Sequence, residues 1–316
     1  MSHMTGAQLH VVKAGPMVTI QDVGRPDLMR YGVPASGPMD RLAFAAANAA
    51  LGNRTGAPAI EISLGGLTLS CEGAPVGFAV AGGGFIVEHG GRKAGSWHCA
   101  TLTPGETLTI RPGPWGSWCY LALPGGVTAP HWLGSAATHA VSGLGGGRIL
   151  PGQVLTPETS AESIQPCAIT CPLTARPRPQ VHVTLGPQDR FFDAEALGLL
   201  RNGPWRMTTA WDRMGVRLDG PALQPNAPLD MPSGPVTRGA IQVAGDGVAT
   251  ILLADHQTTG GYPRIATVLD CDLDGLMQLR PRDRLAFSPV TPEQATTIAR
   301  RAAKGAARYL AGLTPA

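Results

Sequence analysis

The sequence lacks several features that would assign it to a common functional class. Its 316 residues contain no apolar run near 18 residues long, so we expect neither a membrane-spanning helix nor a membrane partner. Only 3 of the 25 basic residues are lysines, the net charge is +3, and no basic cluster stands out. A nucleic-acid partner is therefore not expected.

Motifs that carry familiar chemistry are also missing. No G-x-x-x-x-G-K-[ST] occurs, so any ATP site would not be a Walker A loop. Neither G-x-S-x-G nor H-E-x-x-H occurs. The histidines show no i, i+4 pairing, and Cys167, Cys171 and His182 lack a credible fourth ligand. We therefore expect no metal site.

Cysteine usage points to a reducing compartment. The 6 cysteines lie at irregular spacings, with no C-x-x-C pair and no secretory signal ahead of them. Free thiols and a cytoplasmic location are the simplest expectation.

Glycine and proline are abundant and spread along the chain. The 42 glycines and 29 prolines separate short apolar segments, which is typical of a turn-rich β protein. Alternating or buried apolar patterns predict strands over 67–71, 76–81, 107–110, 117–123, 240–244 and 248–254.

Few helices are predicted. The clearest is the tail, where Thr291 is the expected N-cap, Pro292 takes the first helical position and Gln294 closes a capping box. A shorter helix is expected from Asp193 to about Asn202.

Another helix is predicted from Pro38 to about Leu51. Gly37 or Ser36 is its expected cap, and Asp40 lies near the positive end of the helix dipole.

The two halves of the chain contain an internal repeat. HVVKAGP at 10–16 corresponds to HVTLGP at 182–187, and the pattern L-x-P-x-[DE]-x-L-x-[FI] occurs at 102–110 and 279–287. LPGQVL at 150–155 is a candidate third copy. A turn followed by an alternating strand would explain the repeat.

The repeat predicts two domains that start alike. We place the linker between about 157 and 179, where the alternation is lost, and the domains at 6–160 and 178–316.

The first polar stretch that packing explains poorly is 19–40. Rigid loops of this kind suit a binding surface. The alternative is that Asp22 and Arg25 form a turn-fixing ion pair and Asp40 only caps a helix. The polar residues of the stretch are Gln21, Asp22, Arg25, Tyr31, Ser36 and Asp40.

The second stretch follows a buried strand, at 252–268. It contains Asp255, His256, Gln257, Thr258, Thr259, Gly260, Gly261 and Tyr262. Hydroxyls, an amide, a carboxylate and close-approach glycines suit a small ligand with planar amide or carboxylate groups. The alternative is a satisfied turn in which the two threonines bond the backbone. His256 alone is weak evidence for a catalytic base.

A third segment, 210–220, offers Asp212, Arg213 and Arg217. Arginine forks suit a carboxylate or phosphate, but an ion pair that stabilises a strand fits equally well. Glu61 lies between apolar neighbours and is either a buried carboxylate or a strand-edge residue.

These stretches carry a resemblance to a known family. The chain resembles the carboxyltransferase-domain family known as allophanate hydrolase subunit 2, which includes the subunit-C proteins of 5-oxoprolinases, from about Val11 to Val290. The motifs are QDVGR (21–25), GVPASGPMD (32–40), NAALGN (48–53) with Glu61, LGPQD (185–189), DRMGVRL (212–218), GAIQV (239–243) and ADHQTTGGYP (254–263). The resemblance implies a mainly β fold of tandem cyclophilin-like β-barrel domains with few helices.

The chain departs from the family pattern at two places. The family usually has a G-S-R-S-T-like segment where this chain has GSAAT at 134–138, so an arginine and a serine are missing. The loop 145–153 ends in Gln153, where an acidic residue is common. If these positions contact substrate in relatives, we expect the substrate specificity of this chain to differ from theirs.

The resemblance implies three alternative functions. The leading one is a subunit of an ATP-dependent 5-oxoprolinase, which opens the lactam of 5-oxoproline to give glutamate. The second is carboxyl transfer from carboxybiotin to urea or a related amide. The third is a non-catalytic regulator of a kinase-inhibitor-like partner.

The resemblance also implies partners and cofactors. The expected partner is a subunit-1 or subunit-B type protein, with a subunit-A type protein as a possible third member. ATP would act at the level of the complex. Biotin would have to sit on a partner chain, because none of the lysines lies in an A-M-K-M context.

Roles for individual residues follow as expectations from the leading function. Asp255, Asp22 and Asp40 are candidates to move the proton. Substrate-binding candidates are Gln257, Thr258, Thr259, Gly260, Gly261, Tyr262, Arg25, Ser36, Arg213 and Gln242.

Overall fold

The computed structural model describes residues 6–159, 163–226 and 231–313, and these form two compact units. Each predicted domain is one continuous range of sequence. The two units are not continuous, because 26–35 belongs to unit 2 and the end of the chain, from Ala306, belongs to unit 1. The predicted linker contains the change of unit after Arg176. Unit 1 comprises 6–25, 36–159, 163–176 and 306–313, and unit 2 comprises 26–35, 177–226 and 231–305.

Unit 1 contains two antiparallel sheets and helix α1 (Arg41–Ala50). The sheets have the strand orders β11-β1-β4-β9-β6-β7 and β12-β8-β5-β10-β3-β2. The strands are β1 (Gln8–Ala14), β2 (Thr19–Gln21), β3 (Ala59–Ile62), β4 (Leu67–Glu72), β5 (Val76–Ala81), β6 (Ile86–His89), β7 (Arg92–Gly95), β8 (His98–Leu102), β9 (Thr107–Arg111), β10 (Cys119–Ala122), β11 (Val154–Leu155) and β12 (Cys167–Ala168).

Unit 2 contains a sheet of order β14-β15-β18-β17-β20-β13-β21 and a two-stranded ribbon, β16-β19. All neighbouring strands are antiparallel except β13 and β21. The strands are β13 (Gln180–Leu185), β14 (Arg206–Trp211), β15 (Gly215–Asp219), β16 (Gly234–Pro235), β17 (Ala240–Val243), β18 (Ala249–Leu252), β19 (Thr259–Gly260), β20 (Arg264–Val268) and β21 (Ala286–Pro289). The helices are α2 (Ala194–Asn202), α3 (Asp270–Met277) and α4 (Pro292–Ala311), whose last residues cluster with unit 1.

This architecture confirms the expected fold class, tandem cyclophilin-like β-barrel domains with few helices. Each of the six predicted strands is present as β4, β5, β9, β10, β17 or β18, within two residues of its predicted ends. No helix among the described residues combines the length and apolarity needed to cross a bilayer.

The second sheet of unit 1 is buried on both faces. Successive strand residues point to opposite faces, so Phe78 and Val80 of β5 join the core between the sheets. Ala79 and Ala81 face the other way and pack in the cluster that contains Phe44 of α1. Alanine on this face leaves room for the helix to approach closely.

Two of the three predicted helices begin as expected. Thr291 and Gln294 form the capping box of α4, with Thr291 N–H donating to Gln294 Oε1 at 2.9 Å and Gln294 N–H donating to Thr291 Oγ1 at 3.3 Å. Asp193 caps α2 by accepting the Ala196 N–H at 2.8 Å.

The predicted start of α1 is wrong. The helix begins at Arg41 with Asp40 as its N-cap, not at Pro38 with Ser36 or Gly37. The physical reason is that Met39 N–H donates to Glu61 Oε2 at 2.8 Å, which fixes the preceding residues outside the helix. Asp40 is extended and accepts the Ala43 N–H at 2.9 Å.

Helix α3 was not predicted because no capping side chain marks its start. Its N-cap position is Leu269, which makes no side-chain cap. Tertiary contacts fix it instead: the buried Asp272 accepts bonds from His182 N at 2.7 Å and His182 Nδ1 at 2.8 Å, and pairs with Arg178.

The repeated pattern is one turn that occurs three times. In each copy the side chain of the fourth residue accepts a hydrogen bond from the backbone N–H of the first. The bonds are Thr103 N to Glu106 Oε2 (2.8 Å), Arg280 N to Asp283 Oδ2 (2.8 Å) and Leu150 N to Gln153 Oε1 (2.9 Å). Gln153 thus supplies the same acceptor as an acidic residue, which gives this departure from the family pattern a structural explanation.

We predict that Arg282→Gly stabilises unit 2. The third turn position has a positive φ in each copy, and here the exposed Arg282 has φ 77° whereas the equivalent Gly105 has φ 85°. Glycine removes the strain of a left-handed side-chain-bearing residue, so we expect a gain of up to about 1 kcal/mol in the free energy of unfolding, measured by urea denaturation.

The matched control is Gly105→Ala. A Cβ at Gly105 has no heavy atom within 4 Å, so this variant tests the backbone conformation alone and should lose about 1 kcal/mol. Destabilisation by Arg282→Gly would contradict the turn assignment.

A half-buried histidine makes unit 1 sensitive to acid. His98 Nδ1 donates to Gly95 O at 2.8 Å, and its Nε2 is buried without a hydrogen-bond partner among the described residues. Burial lowers the pKa of His98, which also stacks on His89 at 5.8 Å. The folded state therefore binds fewer protons than the unfolded chain, and stability falls as pH drops below the unfolded value of about 6.5.

We predict that His98→Asn reduces the loss of thermal stability between pH 7.5 and pH 5.0. Asparagine keeps a donor near the Nδ1 position but does not titrate. The matched control is His131→Asn, because His131 makes a similar local bond to Ala129 O at an exposed site. An unchanged pH dependence in His98→Asn would refute this account.

Candidate functional site

In unit 1, Asp22 holds a distant loop. Its carboxylate accepts four hydrogen bonds, from Gly24 N (2.9 Å), Ser135 Oγ (2.5 Å), Ala136 N (2.7 Å) and Ala137 N (3.2 Å). These contacts lock the segment 135–137 onto the chain after β2. They make Asp22 a positioning residue, and its role in proton transfer stays a prediction.

Arg25 donates hydrogen bonds to backbone carbonyl groups of the same loop. Its Nε donates to Trp132 O at 2.9 Å, and its Nη2 donates to Ser135 O at 3.2 Å and to Ala137 O. The guanidinium also stacks over the Trp132 ring at 4.7 Å. Asp22 and Arg25 therefore act on one loop from its donor and acceptor sides.

The GSAAT segment owes its composition to this packing. Ala136 and Ala137 are fully buried, at positions where the family pattern has the arginine and the serine. Their backbone groups are the ones that bind Asp22 and Arg25. A long polar side chain would need a different arrangement of the loop.

Ser36 is a strained residue of unit 1. Its φ is 55°, in the left-handed region, and only 8% of its surface is exposed. Its Oγ is buried with no hydrogen-bond partner among the described residues. The next residue, Gly37, packs so closely that a Cβ would lie 3.0 Å from Val23 O. Its role in substrate binding stays a prediction.

Asp40 belongs to a buried network beneath α1. Its backbone N–H donates to Tyr120 Oη at 2.9 Å, and Tyr120 Oη donates to Glu61 Oε2 at 2.7 Å. All three residues are fully buried, and burial raises the pKa of Tyr120 well above its usual value, with Glu61 adding to the effect. Glu61 is thus the buried carboxylate of the two alternatives, and Asp40 is the helix cap. A catalytic role for Asp40 stays a prediction.

In unit 2, Arg213 and Asp255 form a buried two-point ion pair. Arg213 Nε lies 2.9 Å from Asp255 Oδ2, and Nη2 lies 2.9 Å from Oδ1. Asp255 N–H also donates to Arg213 O at 2.8 Å. The pair joins the turn between β14 and β15 to the chain after β18. The ion-pair alternative for the 210–220 segment is therefore confirmed.

His256 follows the ion pair and is 3% exposed. Its Nδ1 lies 2.6 Å from Gln257 O, and a carbonyl only accepts, so Nδ1 carries the proton. Burial lowers the pKa of His256, which keeps the ring neutral at pH 7 with a lone pair on Nε2. Nε2 has no hydrogen-bond partner among the described residues.

Gln257, which follows His256, is hydrogen-bonded to Gln242, and one amide donor of this pair has no acceptor among the described residues. Gln257 Nε2 donates to Gln242 Oε1 at 3.1 Å, which fixes the orientation of the Gln242 amide. Gln242 is 4% exposed, and its Nε2 is buried without a partner in the described part of the chain. A Cβ at Gly260 would lie 2.5 Å from this nitrogen, so only glycine fits beside it.

The rest of the loop is held through its main chain. Val236 N–H donates to Thr258 O at 3.1 Å, and Thr259 and Gly260 form β19, paired with β16. In the described part of the chain, neither threonine hydroxyl is hydrogen-bonded. Tyr262 is 49% exposed.

The structure thus brings the predicted residues together in two groups. Unit 2 collects Arg213, Asp255, Gln242 and the 257–262 loop, whereas Asp22, Arg25, Ser36 and Asp40 belong to unit 1. Sequence reasoning missed Ser135 and Tyr120, which contact Asp22 and Asp40 from distant parts of the chain without any local signal. It also undervalued His256, whose burial and tautomer depend on the fold.

Comparisons with known proteins all point to one family. The model for "Carboxyltransferase domain, subdomain A and B" matches residues 31–289. The subunit-C protein of the Haemophilus influenzae 5-oxoprolinase is 32% identical over 286 residues, which cover 90% of this chain and 91% of that protein. The urea amidolyase of Saccharomyces cerevisiae is 30% identical over 318 residues, covering 92% of this chain and 17% of that protein.

Solved structures agree with this family. The Kluyveromyces lactis urea carboxylase superposes with a TM-score of 0.87 at 27% identity, over 100% of this chain and 30% of that one. The protein TTHA0988 gives a TM-score of 0.81 at 31% identity over 91% of this chain, which spans 57% of its length. The chain belongs to the carboxyltransferase-domain family of subdomains A and B.

Proposed function

We propose that this chain is a subunit of a multi-subunit, ATP-dependent 5-oxoprolinase that hydrolyses 5-oxo-L-proline to L-glutamate. The observation that carries the proposal is the match to the subunit-C proteins of 5-oxoprolinases over nearly the whole of both chains. It holds for the protein of H. influenzae and for that of Escherichia coli, which is 30% identical over 91% of this chain and 93% of its own.

The chemistry of a lactam fits the unit 2 loop. A lactam carbonyl presents an oxygen acceptor in a planar amide, and Gln242 Nε2 is a buried donor without a partner among the described residues. Such a donor is costly to leave unfilled, so a bound carbonyl oxygen would recover its hydrogen bond. The same donor would stabilise the oxyanion that forms when the carbonyl is attacked.

Further roles follow from the same loop. The hydroxyls of Thr258 and Thr259, backbone groups at Gly260 and Gly261 and the Tyr262 ring supply the remaining contacts to substrate. His256 Nε2 accepts a proton, because this atom carries a lone pair at pH 7.

The buried ion pair completes the proposal for the unit 2 loop. Asp255 and Arg213 position the loop through their mutual pairing.

ATP acts at the level of the complex. Opening a stable amide is unfavourable, and phosphorylation of the carbonyl oxygen creates a leaving group before water attacks. We assign the partners as a subunit-B type protein and a subunit-A type protein. We place the protein in the cytoplasm, because its 6 cysteines lie at irregular spacings without a C-x-x-C pair.

Carboxyl transfer is the second candidate, and one observation favours it. The whole chain superposes on urea carboxylase with a TM-score of 0.87. In this case biotin sits on a partner chain, and the substrate is urea or a related amide. A streptavidin blot of the native complex separates the two functions, because only carboxyl transfer requires a biotinylated partner.

We predict that the chain, assembled with its subunit-B and subunit-A type proteins, releases ADP and glutamate in equal amounts when 5-oxoproline is added. No single protein should do so alone. The measurement couples ADP release to glutamate detection, with urea and no substrate as parallel reactions. ADP release with urea but not with 5-oxoproline would transfer the assignment to carboxyl chemistry.

We predict that Gln242→Met lowers kcat/KM for 5-oxoproline by about 10- to 100-fold. Methionine has a similar volume but no donor, and one lost hydrogen bond to a carbonyl corresponds to about 1–3 kcal/mol. Gln257, the partner of Gln242, is half-buried and can bind water instead, so the fold should persist.

The matched control for Gln242→Met is Gln180→Met in the same unit. Gln180 Nε2 donates to Ser288 Oγ at an exposed site, so its loss should leave kcat/KM unchanged. Full activity of Gln242→Met in the assembled complex would remove Gln242 from the substrate site.

A further inference from the structure

Cys99 and Cys167 of unit 1 lie directly opposite each other on paired strands. Cys99 belongs to β8 and Cys167 to β12, and the two antiparallel strands place these residues in register. They are 68 positions apart in the sequence, so only the fold brings them together. Neither cysteine takes part in the chemistry proposed for the unit 2 loop.

This arrangement is specific to β8 and β12. Among the described strands, no other cysteine is in register with a second cysteine. Cys71 is paired with Leu9, and Cys119 is paired with Ile62. Cys271 lies in helix α3 of unit 2.

The hydrogen bonds between β8 and β12 set the distance between the two Cα atoms. Ile169 N–H donates to Trp97 O at 2.8 Å, two residues along from the cysteines in the same register. Antiparallel pairs alternate between hydrogen-bonded and non-hydrogen-bonded ones, so the cysteines form a hydrogen-bonded pair. Their Cα atoms are therefore about 5.5 Å apart, within the range of about 4.4–6.8 Å that a disulfide spans.

The two side chains project from the same face of the sheet. Cβ atoms of directly opposite residues lie about 4.5–5.5 Å apart, and a disulfide needs about 3.5–4.5 Å. The edge strand β12 can close this difference, because it has two residues and both are exposed. The thiols already interact: burial raises the pKa of Cys99, and a hydrogen bond with Cys167 adds to the effect.

The two thiols differ in exposure. Cys99 is 1% exposed and packs in the cluster that contains Phe44 of α1, whereas Cys167 is exposed. An oxidant in solution therefore reaches Cys167 first. An accessible thiol beside a second thiol that can resolve its oxidised form is the arrangement of a redox-sensing pair.

We propose that Cys99 and Cys167 are a modification site, which a peroxide converts into a reversible disulfide. First, the Cys167 thiol gives up its proton and its sulfur attacks one oxygen of hydrogen peroxide. The O–O bond breaks, a sulfenic acid forms, and the hydroxide released takes up the proton to become water. Second, the Cys99 sulfur attacks the sulfenic sulfur, the S–O bond breaks, and the hydroxyl leaves as water with the Cys99 proton. The two thiols are oxidised by two electrons, and the peroxide is reduced to two molecules of water.

The disulfide fixes the segment 167–176 to β8. Ile169 and Ala175 of this segment are buried in the cluster beneath α1, and Thr170 O accepts a hydrogen bond from Tyr309 Oη at 2.7 Å. The cross-link closes a loop of about 68 residues, which constrains the unfolded chain and stabilises the folded one. A glutathione pool reduces an exposed disulfide again, so the change is reversible in a reducing compartment.

The test treats the purified full chain with hydrogen peroxide and then blocks the remaining thiols with iodoacetamide. Mass spectrometry of the peptides should show a cross-link between Cys99 and Cys167 that dithiothreitol removes. The melting temperature of the oxidised protein should exceed that of the reduced protein by about 5 °C. These readouts need neither a partner nor a substrate, so they are independent of the proposed function.

Three variants test the order of the steps. Cys167→Ser removes the thiol that is oxidised first, so it should show neither the cross-link nor the rise in melting temperature. The matched control is Cys171→Ser, which removes a half-buried thiol four positions away and should form the cross-link like the wild type. Cys99→Ala removes only the second thiol, so Cys167 should stop at the sulfenic acid, which dimedone traps.

Several results would overturn the proposal. They are wild-type protein that forms no cross-link, a disulfide between Cys167 and Cys171 instead, and Cys167 oxidised to a sulfinic acid while Cys99 stays a thiol. A cross-link that leaves the melting temperature unchanged would contradict the stabilisation of the segment 167–176.

Discussion

The candidate site depends on the buried ion pair between Arg213 and Asp255. Removing one partner of such a pair costs about 3–5 kcal/mol, because the other charge stays buried without compensation. The pair fixes the start of the loop that continues into His256 and Gln257. Gln257 in turn orients Gln242, so the position of the unfilled donor follows from a chain of contacts that starts at the ion pair.

Unit 1 uses the same principle with different chemistry. Asp22 binds backbone N–H groups and Arg25 binds backbone carbonyls of one loop, so two opposite charges are satisfied by peptide dipoles. Polar side chains that the sequence places in a motif are here used largely to build the loop. The segment 19–40 thus contains residues that hold a loop, such as Asp22, and a buried hydroxyl without a partner among the described residues, at Ser36.

Local signals predicted much of the fold. The capping box at Thr291 and the cap at Asp193 both formed as expected, because each depends on residues within one helical turn. The turn repeat was also visible, since its hydrogen bond joins residues three apart. The start of α1 was not predictable in this way, because it is decided by the bond from Met39 to Glu61, 22 positions further along the chain.

The contacts that the candidate residues make could not be predicted from the sequence. The sequence placed Asp255 and Arg213 among independent candidates, and only the fold shows that each is the partner of the other. The donor at Gln242 likewise becomes apparent only when Gln257 and Gly260 are seen to fix its direction. Such roles depend on contacts between residues far apart in sequence, which no local pattern contains.

The most direct measurement is a crystal structure of the assembled complex with 5-oxoproline bound. The account predicts that the lactam carbonyl oxygen lies within hydrogen-bond distance, about 3 Å, of Gln242 Nε2, with the Arg213–Asp255 pair intact. A substrate bound without contact to the 255–262 loop or to Gln242 would contradict it.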